Sequence, residues 1–259
     1  MTPTNESIGI SAEYACCLLF NTPNELEEKR IDYDIVDSIL RSTLIDLFLD
    51  NNLHLTKHIG KGNGSIDFVG ICENDTEYSV SLKTIMGKGD GKICPQGGQM
   101  TYCSFHKHFP GCPRPTDDDR VLANPNPYQR VNANKIRWNW IKENIGLFLN
   151  RMQSQTFCCD FTIFISNCRG SPVPVLLVNP CIDFAKINIS YKREDYVERC
   201  RKDENKEPAE FSTIIYGEFD GTNKKIGEFQ FHKKKIDGSG RNNIKFRFYK
   251  SLFCKVQNM

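Results

Sequence analysis

Residues 65–84, with the sequence SIDFVGICENDTEYSVSLKT, constrain the fold most, because two short runs of strand-forming residues flank a polar segment. This pattern predicts two β-strands joined by a tight turn. Asp67 lies in the first strand, and Lys83 lies in the second, two residues after Ser81. The two registers that we considered place Asp67 opposite Lys83 or opposite Leu82. In either register Asp67 and Lys83 reach a common point, since opposed Cβ atoms are about 5 Å apart.

The rest of the chain alternates between helical and strand patterns. Apolar residues recur at helical spacing over 23–52 and over 134–153, and residues 193–210 predict a polar surface helix that runs into a loop. Residues 87–127 are typical of a loop insert. Strands are expected over 158–168, 173–179, 211–219, 227–235 and 244–252. This order predicts an α/β fold, with a central mixed β-sheet flanked by helices, in a single domain spanning 1–259.

Composition narrows the protein classes. The 259 residues contain no apolar run near the ~20 that span a bilayer. The N-terminal segment has no basic region before its short apolar patch, so we expect no signal peptide and a cytoplasmic protein, bacterial or virus-encoded. Twelve cysteines without a secretory signal indicate reduced thiols rather than a disulfide framework.

Positive charge is concentrated at the C-terminus. Residues 222–259 contain ten Lys or Arg against two acids, a net charge of +8, although the whole chain carries only +2. A basic segment on an otherwise acidic chain indicates a polyanionic partner such as nucleic acid. A solvated charged face is the alternative.

A carboxylate beside a lysine at a strand edge suits metal-assisted cleavage of a phosphodiester. Mg²⁺ prefers oxygen ligands, polarises the phosphate and lowers the pKa of a bound water. The lysine can stabilise the charge that develops on the phosphate. The alternative for Asp67 and Lys83 is a cross-strand ion pair, which contributes about 0.2–1 kcal/mol.

Three segments carry a resemblance to a known family. The pattern Asp-x13-Ser-x-Lys in a hairpin, after a Glu-rich helix, resembles the PD-(D/E)XK nuclease motif. Residues 81–101, SLKTIMGKGDGKICPQGGQMT, are similar to type II restriction endonucleases in which a Lys-Thr strand leads into a loop with CPQ and GQ. Residues 226–249 resemble the closing segment of restriction enzymes that cut short sites. Together the segments cover about a quarter of the chain.

The resemblance implies a restriction-endonuclease-like core with a Cys/His-rich loop insert and a C-terminal basic β-hairpin within the DNA-contacting segment 211–259. It implies Mg²⁺-dependent hydrolysis of double-stranded DNA at a short specific sequence, leaving 5′-phosphates, in a cell that also holds a cognate DNA methyltransferase. Asp67 and Glu28 would hold Mg²⁺, and Lys83 would face the attacked phosphate. Ser81 occupies a position where the family has Asp or Glu; Glu28 is the expected substitute and Glu25 the second choice.

Other interpretations remain open. A non-catalytic, sequence-specific DNA-binding protein of nuclease ancestry would also keep this fold. A repair or structure-specific nuclease would keep the metal site without a fixed sequence. The sequence does not distinguish a monomer from a homodimer.

The insert contains a cluster of metal-binding residue types. The spacing C-x8-C-x2-H-x-H-x3-C supplies more than the four ligands of a structural zinc site. We expect Cys103, His108 and Cys112 to bind Zn²⁺, with Cys94 or His106 as the fourth ligand. The alternative is a loop with free thiols and histidines that contact phosphate.

Alternation over 227–235 places polar side chains on one face of a strand and Phe229 and Phe231 on the other. Polar side chains on such a face can bind base edges, although most contacts of this kind reach only phosphate. The predicted DNA-binding residues are Gln96, Gln99, Gln230, His232, Lys234, Arg241, Lys245 and Arg247.

Overall fold

A computed structural model describes residues 5–60, 66–71, 75–87, 91–95, 98–114, 127–197, 209–232 and 243–253. The sequence predicted one domain, whereas the chain divides into two compact units. The first unit comprises Met1–Ile93, Thr156–Pro180 and Phe253–Met259, and the second comprises Cys94–Gln155 and Cys181–Leu252.

The described residues form helices and strands in mixed order. The helices are α1 (Asn5–Leu19), α2 (Tyr33–Leu40), α3 (Leu44–Asp50), α4 (Tyr102–His108), α5 (Pro127–Glu143) and α6 (Ile145–Thr156). Short 3-10 helices occur at Glu28–Arg30, Phe184–Lys186 and Lys250–Leu252. The strands are β1 (His54–His58), β2 (Phe68–Ile71), β3 (Glu77–Thr84), β4 (Lys92–Ile93), β5 (Gln99–Thr101), β6 (Phe161–Ser166), β7 (Val173–Leu177), β8 (Ile189–Tyr191), β9 (Ala209–Phe219), β10 (Thr222–His232) and β11 (Asn243–Tyr249).

The first unit is built on a mixed sheet with strand order β1-β2-β3-β6-β7. Strands β3 and β6 are parallel, and the other neighbours are antiparallel. Apolar residues of helices α1, α2 and α3, such as Ile8, Ile39 and Phe48, form one buried cluster with Phe68 and Val80 of the sheet. The predicted α/β fold with a mixed central sheet flanked by helices is confirmed at this level.

The long helix predicted over 23–52 is interrupted, and this prediction is wrong in detail. Asp32 adopts an extended backbone, and its carboxylate accepts a hydrogen bond from the Ile35 amide at 3.3 Å, so it caps a new helix. The Asp32 amide donates to the Ser11 hydroxyl at 2.8 Å. The first amides of a helix have no carbonyl one turn earlier to bind, and a capping side chain accepts from one of them instead. Asp32 has this role, so α2 starts here.

The second unit contains an antiparallel sheet in which β11, β10, β9 and β8 are neighbours and β5 pairs with β11. One face is aromatic: Phe229 and Phe231 are fully buried, and Trp138 of α5 and Phe148 of α6 lie with their rings 5.2 and 5.9 Å from Phe229. The strands predicted from alternation over 211–252 are therefore present in the described residues.

Two other predictions need correction. The polar helix expected to begin at 193 and run into a loop is not formed at residues 193–197, which are irregular. Residues 198–208 lie outside the described residues, and residues 209–210 belong to β9. The segment 87–127 is not only a loop, since it contains β4, β5 and α4. Thr101 caps α4 by accepting from the Ser104 amide at 3.2 Å, and this local bond starts a helix inside the insert.

Candidate functional site

The hairpin of β2 and β3 is present, but both predicted registers are wrong. Phe68 pairs with Val80, and Ile71 pairs with Glu77. Continuing this register places position 67 against Ser81 rather than against residue 82 or 83. The Asp67 amide donates to the Val80 carbonyl at 2.9 Å, which holds the start of β2 against β3.

The carboxylate of Asp67 accepts two hydrogen bonds from β3. Its Oδ2 accepts from the Leu82 amide at 2.5 Å and from the Ser81 hydroxyl at 3.1 Å. Burial raises the pKa of Asp67, and the Glu13 carboxylate raises it further; Lys83 and the two hydrogen bonds lower it without cancelling the rise. A negative charge at this position is therefore costly until a cation approaches it.

Lys83 lies on the same side of β3 as Ser81, two residues along the strand, and its side chain is half-buried. Its ammonium lowers the pKa of Asp67, so the two charges interact electrostatically. Between these two described side chains the structure shows no direct ion pair. A cross-strand ion pair therefore does not explain why both charges are here.

Sequence reasoning missed Glu13, a residue of α1. Its side chain is only 18% exposed, and it raises the pKa of both Asp67 and the buried thiol of Cys16. The apolar residues Ile8, Ala12 and Ala15 follow helical spacing and are buried, which places Glu13 at the edge of the buried stripe of α1. That spacing is the sequence signal for a buried helix face at Glu13.

Glu28, the predicted second ligand, lies in the exposed 3-10 helix Glu28–Arg30. Glu25 is also exposed. Neither carboxylate is among the groups that shift the pKa of Asp67, whereas Glu13 is. Of these three acids, Glu13 is therefore the one that interacts with Asp67 electrostatically.

The donor set fits Mg²⁺. This ion is commonly held by one or two carboxylates, completed by waters and substrate phosphates, rather than by a full protein cage. Asp67 and Glu13 supply two carboxylates in one electrostatic environment. Across the residues that the structure describes, no cluster of three or more His, Cys, Asp or Glu side chains could hold a metal ion. Substrate oxygens would have to complete the coordination.

Two buried cysteines lie close enough to this site to interact with it electrostatically. The pKa of Cys159 is raised to about 11, first by burial and then by Cys158 and Asp67, while Lys83 lowers it. Cys16 is fully buried, and burial is the main cause of its raised pKa. Both thiols therefore stay protonated at neutral pH and act as small apolar neighbours of the carboxylates.

The predicted zinc ligands do not come together in the described part of the insert. The thiol of Cys94 donates to the Phe246 carbonyl at 3.7 Å, and burial raises the pKa of Cys112 to about 11. His108 contacts Gln155 at 3.3 Å. Zinc binds thiolates and would displace the protons of these thiols, so the zinc site stays a prediction that requires the ligands to move together. Cys103 and His106 lie on α4 without forming a metal group there.

The predicted DNA-reading face is polar, but two of its members are not accessible. Gln230 and His232 are each only 8% exposed, and His232 Nε2 lies 2.8 Å from Gln230 Oε1. Lys245 and Ser212 flank Gln230 on the neighbouring strands, and Asn243 flanks His232. The prediction that Gln230 and His232 present their side chains to DNA is therefore wrong for this structure.

The remaining members of that face differ in availability. Arg247 already binds the Glu228 carboxylate at 2.6 Å. Gln99 is exposed and pairs across the strands with the half-buried Lys245. The last three predicted DNA-binding residues, Gln96, Lys234 and Arg241, lie outside the described residues.

Comparison with family models, with curated proteins and with solved structures gave no match. Among the helices that the structure describes, none has the length and apolar character needed to cross a membrane.

Proposed function

We propose that this chain is a Mg²⁺-dependent PD-(D/E)XK endonuclease that hydrolyses both strands of DNA at a short specific sequence, as type II restriction endonucleases do. One observation carries the proposal. The largely buried Asp67 carboxylate accepts from the Leu82 amide and the Ser81 hydroxyl, and it interacts electrostatically with a second carboxylate, Glu13, and with Lys83, which does not pair directly with it. Such an arrangement lowers the stability of the folded protein at neutral pH, and a bound cation would offset that cost.

Each group has a chemical task in this proposal. Asp67 and Glu13 would hold Mg²⁺, which supplies Lewis acidity and lowers the pKa of a bound water. Water attacks the phosphorus, the bond to the 3′-oxygen breaks, and the products are a 3′-hydroxyl and a 5′-phosphate. Lys83 would stabilise the charge that develops on the attacked phosphate. The Leu82 amide keeps the Asp67 carboxylate in place.

The sequence-specific part of the proposal rests on the second unit. Gln99 and Lys245 form a polar row across β5 and β11, and Gln and Lys side chains can bind base edges. A restriction enzyme of this kind would require a cognate DNA methyltransferase to protect the host's own sites.

A second candidate is a non-catalytic DNA-binding protein of nuclease ancestry. Ser81 favours it, because a fully buried hydroxyl donating to Asp67 stands where the family has an acid. Without that acid, metal binding depends on Glu13.

Digestion of a long unmethylated DNA of known sequence separates these candidates. The purified protein would be incubated with Mg²⁺ or with EDTA, and every fragment end would be sequenced. Lys83→Ala tests the site, and Lys57→Ala, an exposed lysine on β1, is the matched control. We expect ends that share one short motif with the wild type and K57A in Mg²⁺, and no cutting with EDTA or K83A.

Other results would support a different function or remove Lys83 from the site. Uncut DNA that still shifts sequence-specifically in a gel would establish the non-catalytic binder. Metal-dependent cutting with random ends would keep the nuclease but replace sequence specificity by recognition of DNA damage or branching. Cutting by K83A at the wild-type rate would remove Lys83 from the site.

A further inference from the structure

Strand β1 contains an irregularity that changes which side chain points toward α1. Leu55 pairs with Gly70 and His58 pairs with Phe68, but the register shifts between Leu55 and Lys57. In an unbroken strand Lys57 would share the face of Leu55. Because of the extra residue, the His58 side chain lies on that face instead. Bulges often redirect a side chain next to a functional site.

The imidazole of His58 is fixed by its surroundings. Its side chain is only 4% exposed, and its ring centre lies 5.0 Å from that of Phe68. Gly60, with φ of +27°, lies on the ring: a Cβ at this position would be 2.1 Å from Cε1 and 2.3 Å from Nε2 of His58. Only glycine leaves room for the ring in this orientation.

The fixed ring binds the acid that sequence reasoning missed. His58 Nε2 lies 3.0 Å from Glu13 Oε2. A carboxylate can only accept, so the ring nitrogen donates its proton to this bond. The bond joins β1 to α1, two elements that are far apart in sequence, and it is largely shielded from solvent on both sides.

We propose that His58 is a positioning residue that holds the Glu13 carboxylate in one orientation beside Asp67, so that Glu13 can serve as the second Mg²⁺ ligand. This inference rests on the proposed function and adds a residue that the nuclease resemblance does not include. Hydrogen bonds to metal-binding side chains fix their orientation, and losing one commonly weakens metal binding 10- to 100-fold.

His58→Leu tests this role because it keeps the apolar contact with Phe68 and removes the hydrogen bond. Mn²⁺, used as the probe, would be titrated in the absence of DNA and followed by electron paramagnetic resonance. We expect Mn²⁺ affinity to fall about 10-fold or more, and we expect His58→Gln, whose amide nitrogen can also donate, to restore most of it. Cleavage by H58L at saturating Mg²⁺ should stay within a few-fold of the wild type.

Two further variants make the test specific. Gly60→Ala should reproduce the loss of Mn²⁺ affinity without changing any polar group, since its Cβ displaces the ring. His54→Leu, an exposed histidine on the same strand, should leave the affinity unchanged. The thermal melting of each variant shows that it is folded.

The outcomes separate this inference from the proposed function. Equal Mn²⁺ affinity of the wild type, H58L and G60A would overturn the role of His58 and leave the nuclease proposal intact. A wild type that binds no Mn²⁺ and cuts no DNA would overturn both. Weaker binding by H58L without recovery in H58Q would show that the ring, not the hydrogen bond, is needed, and would also overturn the inference.

Discussion

Both units contain buried or half-buried polar side chains on or next to β-strands, but the charged groups in the two units have different partners. In the first unit the donors to the Asp67 carboxylate are a neutral amide and a neutral hydroxyl, and Glu13 adds a second negative charge. In the second unit Arg247 binds Glu228 at 2.6 Å, so a positive charge meets a negative one. In the first unit the Asp67 pKa stays raised although Lys83 lowers it, whereas in the second unit Arg247 and Glu228 form a direct ion pair.

This difference separates a candidate site from a polar face that stabilises its own sheet. Asp67 lies just before β2 begins, where its side chain can turn to accept from Leu82 on the next strand. Gln230 and His232 lie within an 11-residue strand with neighbours on both sides, and they bind each other. Unmatched charge, rather than polarity alone, is therefore the better indicator of chemistry.

Asp67→Asn should have the largest effect on the first unit. The variant keeps an oxygen that can accept from Leu82 and Ser81 but loses the charge that would bind Mg²⁺ in the proposed function. We expect cleavage to fall by about 10³-fold or more, since metal-ion catalysis supplies several kcal/mol. We expect the melting temperature at neutral pH to rise, on the order of 1–3 °C, because a costly buried charge is removed.

The pH dependence of that stability gain follows from the raised pKa of Asp67. The folded state binds the Asp67 proton more tightly than the unfolded state does. The contribution of Asp67 to the free energy of unfolding of the wild type is therefore largest at low pH and is lost as the pH rises through the folded-state pKa. D67N should therefore match the wild type in acid and exceed it at neutral pH. Thermal melts from pH 4 to pH 8 measure this, and a constant difference would contradict the account.

The variants Glu13→Gln and Glu28→Gln compare the second Mg²⁺ ligand predicted from the sequence, Glu28, with the one proposed from the structure, Glu13. E13Q should raise the Mg²⁺ concentration for half-maximal cleavage by about 10-fold or more, because a ligand carboxylate is lost. E28Q should leave it unchanged, because Glu28 is exposed and does not act on Asp67. Rates measured across a Mg²⁺ titration decide the matter; the reverse pattern would restore Glu28 as the ligand.

Substitutions on the polar face of the second unit should divide into two classes. His232→Ala should cost about 1–3 kcal/mol of unfolding free energy, because its buried partner Gln230 loses a hydrogen bond. Lys245→Ala should leave stability nearly unchanged and reduce the salt dependence of DNA binding by about one counterion. Denaturant melts and binding at several salt concentrations test both. A Gln230→Ala variant that stays stable but recognises a different sequence would contradict the division.

Ser81→Ala should have the smallest effect. The Ser81 hydroxyl lowers the pKa of Asp67, so its loss should move the acid limb of the pH–rate profile toward higher pH. The rate on the alkaline side should change by less than about 5-fold, since one neutral hydrogen bond contributes roughly 1 kcal/mol. Ser79→Ala is the matched control, because its hydroxyl binds Asp160 at 2.7 Å instead. An acid limb that moves equally in both variants would contradict this assignment.

Local patterns predicted the strands well, and contacts between distant segments account for the errors. Alternation around Asp67 and Lys83 correctly indicated a hairpin, but it did not give the register, and a shift of one residue changes every partner. Glu13 approaches Asp67 from a helix more than fifty residues away in sequence. No local pattern reports such a contact.

The same reasoning applies to the insert and the polar face. The spacing of Cys94 and Cys112 predicted a shared zinc site, but Cys94 donates to the Phe246 carbonyl of β11, and the described residues of the insert form no metal-binding group. Alternation correctly separated Phe229 and Phe231 from Gln230, yet it could not predict how far the neighbouring strands would cover the polar side.

Mapping the metal on the polypeptide tests the central claim most directly. Fe²⁺ would replace Mg²⁺, and ascorbate with hydrogen peroxide would generate hydroxyl radicals that cut the backbone near the bound ion. We predict fragments ending near residues 13, 67 and 83 in the wild type, suppressed by excess Mg²⁺ and absent in D67N. Cuts confined to residues 94–112, or the same cuts in D67N, would contradict a metal site built on Asp67 and Glu13.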